Sequence, residues 1–261
     1  MQSGLVRIMM LGSCRYCKNE FRKREQTRKF CSLTCASRYN LNGLNKVVLP
    51  IKNRQLAEFI GICLGDGYAW GYQVGVTLNS IADRKYIPYV ENLARKLFPG
   101  ATISAIKRKE ENAIDIRINS KMVVNFLQGM GIVSNAKYVP KWILSRLDYV
   151  KPCIRGLFDT EGHISFKIYK SRKGISVYKQ LNFRNANMKL MGFVKDNLFN
   201  LGLKPTTTMK RSLYLSNHES IDIYREQIGF SNPKLYERSL IYDINAYENW
   251  KKNKSYEKTN Y

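Results

Sequence analysis

Hydrophobic positions along this chain follow two rhythms that alternate and then repeat. Between Leu56 and Leu64 apolar side chains occupy nearly every face of a helix, as expected for one buried between layers. The run FIGICLGDG at 59–67 has a counterpart in IRGLFDTEG at 154–162. Each has Gly in its third place and closes small residue, carboxylate, Gly, so Asp66 and Glu161 hold equivalent positions. After the first run, YQVGVTLNS alternates Val74, Val76 and Leu78 with Gln73, Thr77 and Asn79, which predicts a half-buried strand. AIDIRINS, later on, alternates three isoleucines with Asp115, Arg117 and Asn119. Helices are predicted over 83–98, with Pro88 constraining the start, and over 121–132.

The same order recurs downstream of the second run. Strands are predicted over 163–170 and 175–185, a helix over 187–203, and a strand then a helix over 212–230. Even the joins correspond, GIVSNAKYVPKWI at 131–143 with GFSNPKLYERSL at 229–240. The chain is therefore an internal repeat of about 95 residues, the interval from Asp66 to Glu161. Its expected divisions are a segment over 1–40, a linker over 41–54 marked by Gly43 and Pro50, a first half over 55–150 and a second over 151–261.

Gly61 is costly inside a helix, about 1 kcal/mol relative to Ala, so its place implies close approach of another backbone. Gly156 is its match, and Gly65 and Thr160 are small residues one turn later. Two helices packed along these four would bring Asp66 and Glu161 together. A helix C-terminus carries partial negative charge, so an acid there is unfavourable without a cation, and two such acids point to a metal. Mg²⁺ takes hard oxygen ligands and needs only one or two protein carboxylates.

Charge changes the picture next. With 44 Lys and Arg against 20 Asp and Glu, the net charge is +24, which implies a polyanionic partner. The charge is spread along the chain instead of on one helix face, which argues against a membrane surface, and no apolar run is long enough to span a bilayer. The first residues lack a secretory pattern, so an intracellular protein is expected, its compartment open. Four of the six cysteines, Cys14, Cys17, Cys31 and Cys35, form two close pairs that can close a tetrahedral shell around Zn²⁺. A basic loop with Arg22, Lys23, Arg24, Arg28 and Lys29 suits this segment to phosphate contacts, and Phe21 and Phe30 can give it a small core. A protein-interaction knuckle or a redox pair is the alternative.

A strand ribbon fits the major groove of a duplex, so polar members of the alternating runs are candidates to meet a nucleic acid. They are Gln73, Thr77, Asn79, Arg117 and Asn119 in the first half, and Lys167, Lys179, Gln180, Asn182 and Arg184 in the second. For each one a solvated position or a phosphate contact is the competing reading. His163 and His218 have no assigned role.

The paired motifs resemble the two LAGLIDADG motifs of single-chain homing endonucleases, over residues 55 to about 245, and the FCS-x-x-C at 30–35 resembles small zinc fingers appended to mobile-element nucleases. The resemblance implies an α+β fold, a pseudo-twofold repeat of two αββαββα halves with saddle-like DNA-binding sheets. It implies a monomeric, site-specific double-strand DNA endonuclease using Mg²⁺ or another divalent cation at Asp66 and Glu161, leaving short 3′ overhangs. Lys137 and Lys234 match the lysine that the family commonly places near each cleavage site, while Lys141 and Lys167 match less well. The first motif departs from the family at Leu64, where Asp is common; Asp159 keeps that structural place in the second. An intron RNA maturase or DNA-binding regulator on the same scaffold is the alternative, with structured RNA as partner. Because Asp66 and Glu161 differ in length, the two strand cuts are expected to proceed at unequal rates.

Overall fold

The structure, a computed structural model, describes residues 10–23, 25–43, 47–133, 137–172, 174–208 and 211–259. Arg24 of the basic loop and the Ser134–Asn135 landmark of the first half lie outside them. The chain divides into two compact units, 1–46 and 47–261.

In the smaller unit, β1 (Met10–Ser13) and β2 (Glu20–Lys23) form an antiparallel hairpin, followed by α1 (Leu33–Gly43). Lys18 takes a left-handed φ of 63° just past the first cysteine pair, and Ser32 caps α1 by accepting from Cys35 N at 3.1 Å. Among the described residues of this unit Cys14 alone is fully buried; Phe21 and Phe30 are half-buried, so they do not form a closed core.

The larger unit runs α2 (Arg54–Asp66), β3 (Gly67–Trp70), β4 (Gln73–Asn79), α3 (Ile87–Leu97), β5 (Thr102–Lys107), β6 (Ala113–Asn119), α4 (Lys121–Gly129) and the short α5 (Lys141–Leu144). It continues with α6 (Leu147–Glu161), β7 (Gly162–Ser171), β8 (Gly174–Arg184), α7 (Met188–Asn200), β9 (Thr206–Thr208), β10 (Ser212–Leu215), α8 (His218–Gln227), α9 (Pro233–Ser239) and α10 (Ile244–Thr259). Two antiparallel four-stranded sheets result, ordered β3-β4-β6-β5 and β7-β8-β10-β9. Each starts from a motif glycine: Gly67 faces Val76, and Gly162 faces Phe183. The fold is therefore α+β, with the αββαββα order present twice.

One continuous core joins the halves, drawing Phe59, Ile60 and Leu64 from α2, Ile154 and Phe158 from α6, and inward residues such as Val76, Ile116, Leu181 and Phe183 from the sheets. Apolar residues on nearly every face of α2 are needed because it is enclosed on all sides, Leu56 through Leu64 being buried. None of the described helices is long and apolar enough to cross a membrane.

Two boundaries differ from the sequence expectation. Of the stretch 41–54, residues 41–43 finish α1, while Val47 and Leu49 already pack on the larger unit's core and Asn53 caps α2, accepting from Leu56 N at 2.8 Å. The second half opens at Leu147 instead of 151. Pro152 sits inside α6, whose first turn is closed by Tyr149 N and Val150 N donating to Arg146 O.

Candidate active site and nucleic-acid interface

Helices α2 and α6 cross backbone to backbone. A Cβ on Gly61 would lie 2.1 Å from Cys153 O, and one on Gly156 would lie 2.3 Å from Glu58 O, so any side chain at either place would force the helices apart. A Cβ on Gly65 would meet Thr160 Oγ1 at 2.1 Å. That hydroxyl is turned back along its own helix, donating to Gly156 O and Leu157 O at 3.0 and 3.1 Å. Beside the crossing, the buried Glu58 of α2 accepts from Arg155 of α6, from Tyr89 OH and from Ser231 Oγ, the last two at 2.6 Å. A buried carboxylate that accepts from Tyr89 of the first half and from Arg155 and Ser231 of the second ties both halves together.

The crossing sets Asp66 and Glu161 at the ends of the paired helices. Removal from water raises the carboxyl pKa of both, and for Asp66 the neighbouring Glu161 charge adds to the rise. Asp66 remains exposed along one edge, which is the side a ligand would approach. Two hard-oxygen donors withdrawn from water, with the charge of Glu161 bearing on Asp66, fit a divalent cation, which would offset that charge.

Lys137 lies between the two acids and the end of α2. Its Nζ donates to Leu64 O and Gly65 O at 3.1 and 2.7 Å, satisfying carbonyls that a helix end leaves open. Burial lowers its pKa, while Cys63, Asp66 and Glu161 act to raise it. Asn185 Nδ2 donates to Glu161 Oε1 at 3.0 Å, and Asn187 Nδ2 holds the backbone of Lys137 through its carbonyl at 2.7 Å. These groups, with His163 and Arg184, line a cleft of about 720 Å³. Lys234 is placed differently: its Nζ is bound to Asp83 Oδ1 at 2.5 Å, and Asn232 Nδ2 reaches the same oxygen at 3.1 Å. Asp83 and Lys234 are both close enough to influence Asp66 electrostatically. Lys141 is exposed at the start of α5.

Asp159 is structural in its contacts. Fully buried, it accepts from Ser231 N at 2.9 Å, and burial pushes its carboxyl up to about 8. Leu64, its counterpart, is core.

On the first sheet Gln73, Thr77, Asn79, Arg117 and Asn119 share the outer face, with Gln73 Nε2 donating to Asn119 Oδ1 and Thr77 Oγ1 to Asp115 Oδ1, both at 2.9 Å. On the second, Lys167, Gln180 and Asn182 share the outer face, and Arg184 ends β8 at the cleft. Lys179 does not belong with them. It alternates in phase with Val177, Leu181 and Phe183, is 1% exposed, and points inward to Ser239 O, Asp222 and the face of Tyr242. Polarity suggested a groove residue, but the strand's period of two sends it to the core side.

In the smaller unit the four cysteine sulfurs lie within 4.8 Å of one another, with Cys17 to Cys31 at 3.6 Å and Cys31 to Cys35 at 3.4 Å. Although burial opposes it, backbone N–H groups of Cys31, Cys17 and Tyr16 bring the Cys14 thiol down to about 6, whereas sulfur contacts to Cys35 and Cys17 push Cys31 up to about 12. Thiols contending for protons around one point form a donor set suited to a single thiophilic ion.

Asn185, Asn187, Asp83, Glu58 and Arg155 have no sequence signal as site residues. Asn185, Asn187 and Asp83 gain their roles once loops after the strands close on the helix ends, and Glu58 and Arg155 gain theirs where α2 crosses α6.

Residues 148–229 match the model of the LAGLIDADG-like domain. Among curated proteins, the chain is 28% identical over 192 residues to "Replication factor C small subunit" and 24% identical over 207 residues to "DNA-directed RNA polymerase subunit Rpo1C", both of Methanocaldococcus jannaschii. It covers 72% and 75% of itself in these matches but spans only 10% and 22% of those proteins' lengths. Among solved structures, it is similar to the homing endonuclease I-DmoI in complex with DNA and Ca (19% identity, 68% of this chain and 91% of that one, TM-score 0.46). It is also similar to the meganuclease I-SmaMI bound to uncleaveable DNA (11% identity, 69% and 86%, TM-score 0.46).

Proposed function

We propose that this two-motif LAGLIDADG protein is a site-specific DNA endonuclease that hydrolyses both strands of a duplex, acting as a monomer inside the cell. The observation that carries the reading is the pair of carboxylates, Asp66 and Glu161, fixed side by side by a glycine-to-backbone crossing in a chain of charge +24. The metal is Mg²⁺ or another divalent cation held by those two acids; when bound it stabilises charge on the scissile phosphate and activates water. Asn185 keeps the Glu161 carboxylate oriented. Lys137, fixed by two carbonyls, presents its ammonium at the cleft wall, where it offsets negative charge as the phosphodiester opens. The outer faces of the two sheets, each begun by the glycine that follows one of the acids, supply groove and phosphate contacts.

The small unit holds Zn²⁺ through Cys14, Cys17, Cys31 and Cys35. Support comes from its described residues, which form no closed apolar core, since so slight a segment gains its folding energy from the metal. Native mass spectrometry is expected to show one zinc, lost with the fold of this unit on chelation.

Incubating the protein and Mg²⁺ with a randomised duplex library, then sequencing the cut ends, tests the enzyme reading. A defined target with short 3′ overhangs is expected. Tight, salt-sensitive binding without any cleavage in Mg²⁺ or Mn²⁺ would overturn it in favour of a binding protein.

A further inference from the structure

The outer face of the first sheet contains an arrangement unusual in so basic a protein. Asp115, on β6, is 1% exposed and lies among cations. Its carboxylate accepts from Thr77 Oγ1 at 2.9 Å, from Arg108 Nε at 3.1 Å to each oxygen, from Arg108 Nη2 at 2.9 Å, and from Arg117 Nη2 at 2.8 Å. Those hydrogen bonds hold the Asp115 carboxyl below the usual carboxylate range against the cost of burial. So enclosed, the acid cannot reach a cytosine amine in the groove.

The two arginines are not equivalent. Arg108 spends its fork on Asp115, on Thr77 Oγ1 at 3.1 Å and on Glu111 at 3.3 Å. Arg117 spends one terminal nitrogen on Asp115; its Nε is buried with no partner, yet about a third of its side chain (32%) stays exposed. Opposite it in the ladder stands Gly75, where a Cβ would run into the Tyr68 ring at 2.3 Å. Glycine thus lets Tyr68 lie across the strand on this face, where its hydroxyl donates to Gln73 Oε1 at 2.9 Å. The guanidinium of Arg117 is held in one orientation by an acid that is itself clamped by a second arginine.

A preoriented guanidinium with unspent donors on a groove-facing sheet matches one base edge better than any other. Guanine presents two acceptors, O6 and N7, side by side in the major groove, and Arg is the side chain that takes both. We infer that Arg117 reads a guanine in the target and that Asp115, secured by Arg108, is the positioning residue that gives it that selectivity. The equivalent ladder places in the second sheet carry no such pair. There Ser212 stands opposite Arg184 and Tyr214 opposite Asn182, where the first sheet has Asp115 opposite Thr77 and Arg117 opposite Gly75. The guanine therefore belongs to the half-site contacted by the first sheet.

This inference rests on the reading of the chain as a duplex-DNA-binding protein, and a binding selection keeps the two separable. Wild type, Arg117→Lys and Asp115→Asn would each select from a randomised duplex library in Ca²⁺, with thermal stability measured in parallel. Wild type is expected to require guanine at one position of one half-site. Arg117→Lys, which keeps the charge but lacks the fork, is expected to lose that preference by on the order of ten- to a hundredfold, leaving the other positions intact. Asp115→Asn is expected to relax the same position alone. If it fails to fold, Arg117→Lys still decides. An unchanged base profile in Arg117→Lys, with weaker binding to all sequences and a smaller salt slope, would make Arg117 a phosphate contact and overturn the inference. Failure of wild type to select any duplex would instead overturn the DNA-binding reading itself.

Discussion

Around Glu161 the cleft is wired through neutral amides and one ammonium; around Asp66 the corresponding lysine is already engaged by a carboxylate. Asn185 orients Glu161, Asn187 secures Lys137, and Lys137 donates to two backbone carbonyls, with no carboxylate in an ion pair with it among the described residues. On the other side Asp83 takes Lys234, and Asn232 joins them. The two halves repeat a backbone without repeating its electrostatics. Pseudo-symmetry here extends to the helix crossing and the sheet registers and stops at the side chains that would meet the two scissile phosphates.

Four experiments would break or sharpen this contrast. The largest effect is expected from the acids: Asp66→Asn or Glu161→Gln should lower double-strand cleavage by about 10²–10³-fold or more while leaving target binding intact. Duplexes labelled on each strand would reveal whether either substitution spares one nick. Full cleavage by the double variant with Mg²⁺ present would remove these residues from the site. Next come the lysines. Lys137→Met should slow cutting about a hundredfold, whereas Lys234→Met should cost about tenfold, because its charge is already offset by Asp83. Equal losses in strand-resolved time courses would mean that the ion pair opens when DNA binds and that the halves work alike.

The third test concerns the part that the halves do share. Gly156→Ala should destabilise the protein by about 1–3 kcal/mol in urea unfolding, since the new Cβ meets the backbone of α2. Gly192→Ala, in α7 with nothing within 4 Å, should instead gain about 0.5–1 kcal/mol. The fourth test concerns Lys179 of the second sheet. Burial brings its pKa down to about 8, below the ordinary 10.5, with Asp222 opposing. The unfolded chain then holds more protons than the native one between these values. Stability relative to Lys179→Met should accordingly rise by about 1–2 kcal/mol as pH increases from about 8 to 10. A flat difference would mean that Asp222 keeps the buried ammonium charged throughout.

Much of the fold was legible because its strongest signals are periodic. The apolar run of α2, the alternation in β4, β6 and β8, and the repeat of whole elements each reflect burial on a fixed geometry. Shorter strands escaped notice: Gly67–Trp70, Thr102–Lys107 and the exposed Thr206–Thr208 have little alternation and are paired only because a neighbouring strand offers its ladder. Helix α10 has a weak pattern, its ordering coming from Tyr247 and Trp250 packed on Phe166 at 5.4 and 5.6 Å. In the cleft, terminal acids and glycines carry a motif, so Asp66, Glu161, Gly61 and Gly156 could be read off. Asn185 and Asp83 could not, because an isolated polar residue after a strand looks the same whether it faces solvent or a carboxylate. Lys179 is the instructive misreading: counting by twos from Val177 would have turned it inward.

One consequence of the helix crossing concerns what can change over time. The approach of α2 to α6 is limited by carbonyl oxygens at Cys153 and Glu58, atoms that no substitution alters. If the protein cuts both strands as proposed, the crossing would act as a ruler cut from main chain, and the stagger between the two nicks would be its reading. Residues on the sheets could then drift toward new target sequences, while each target would be opened with the same spacing between the cuts.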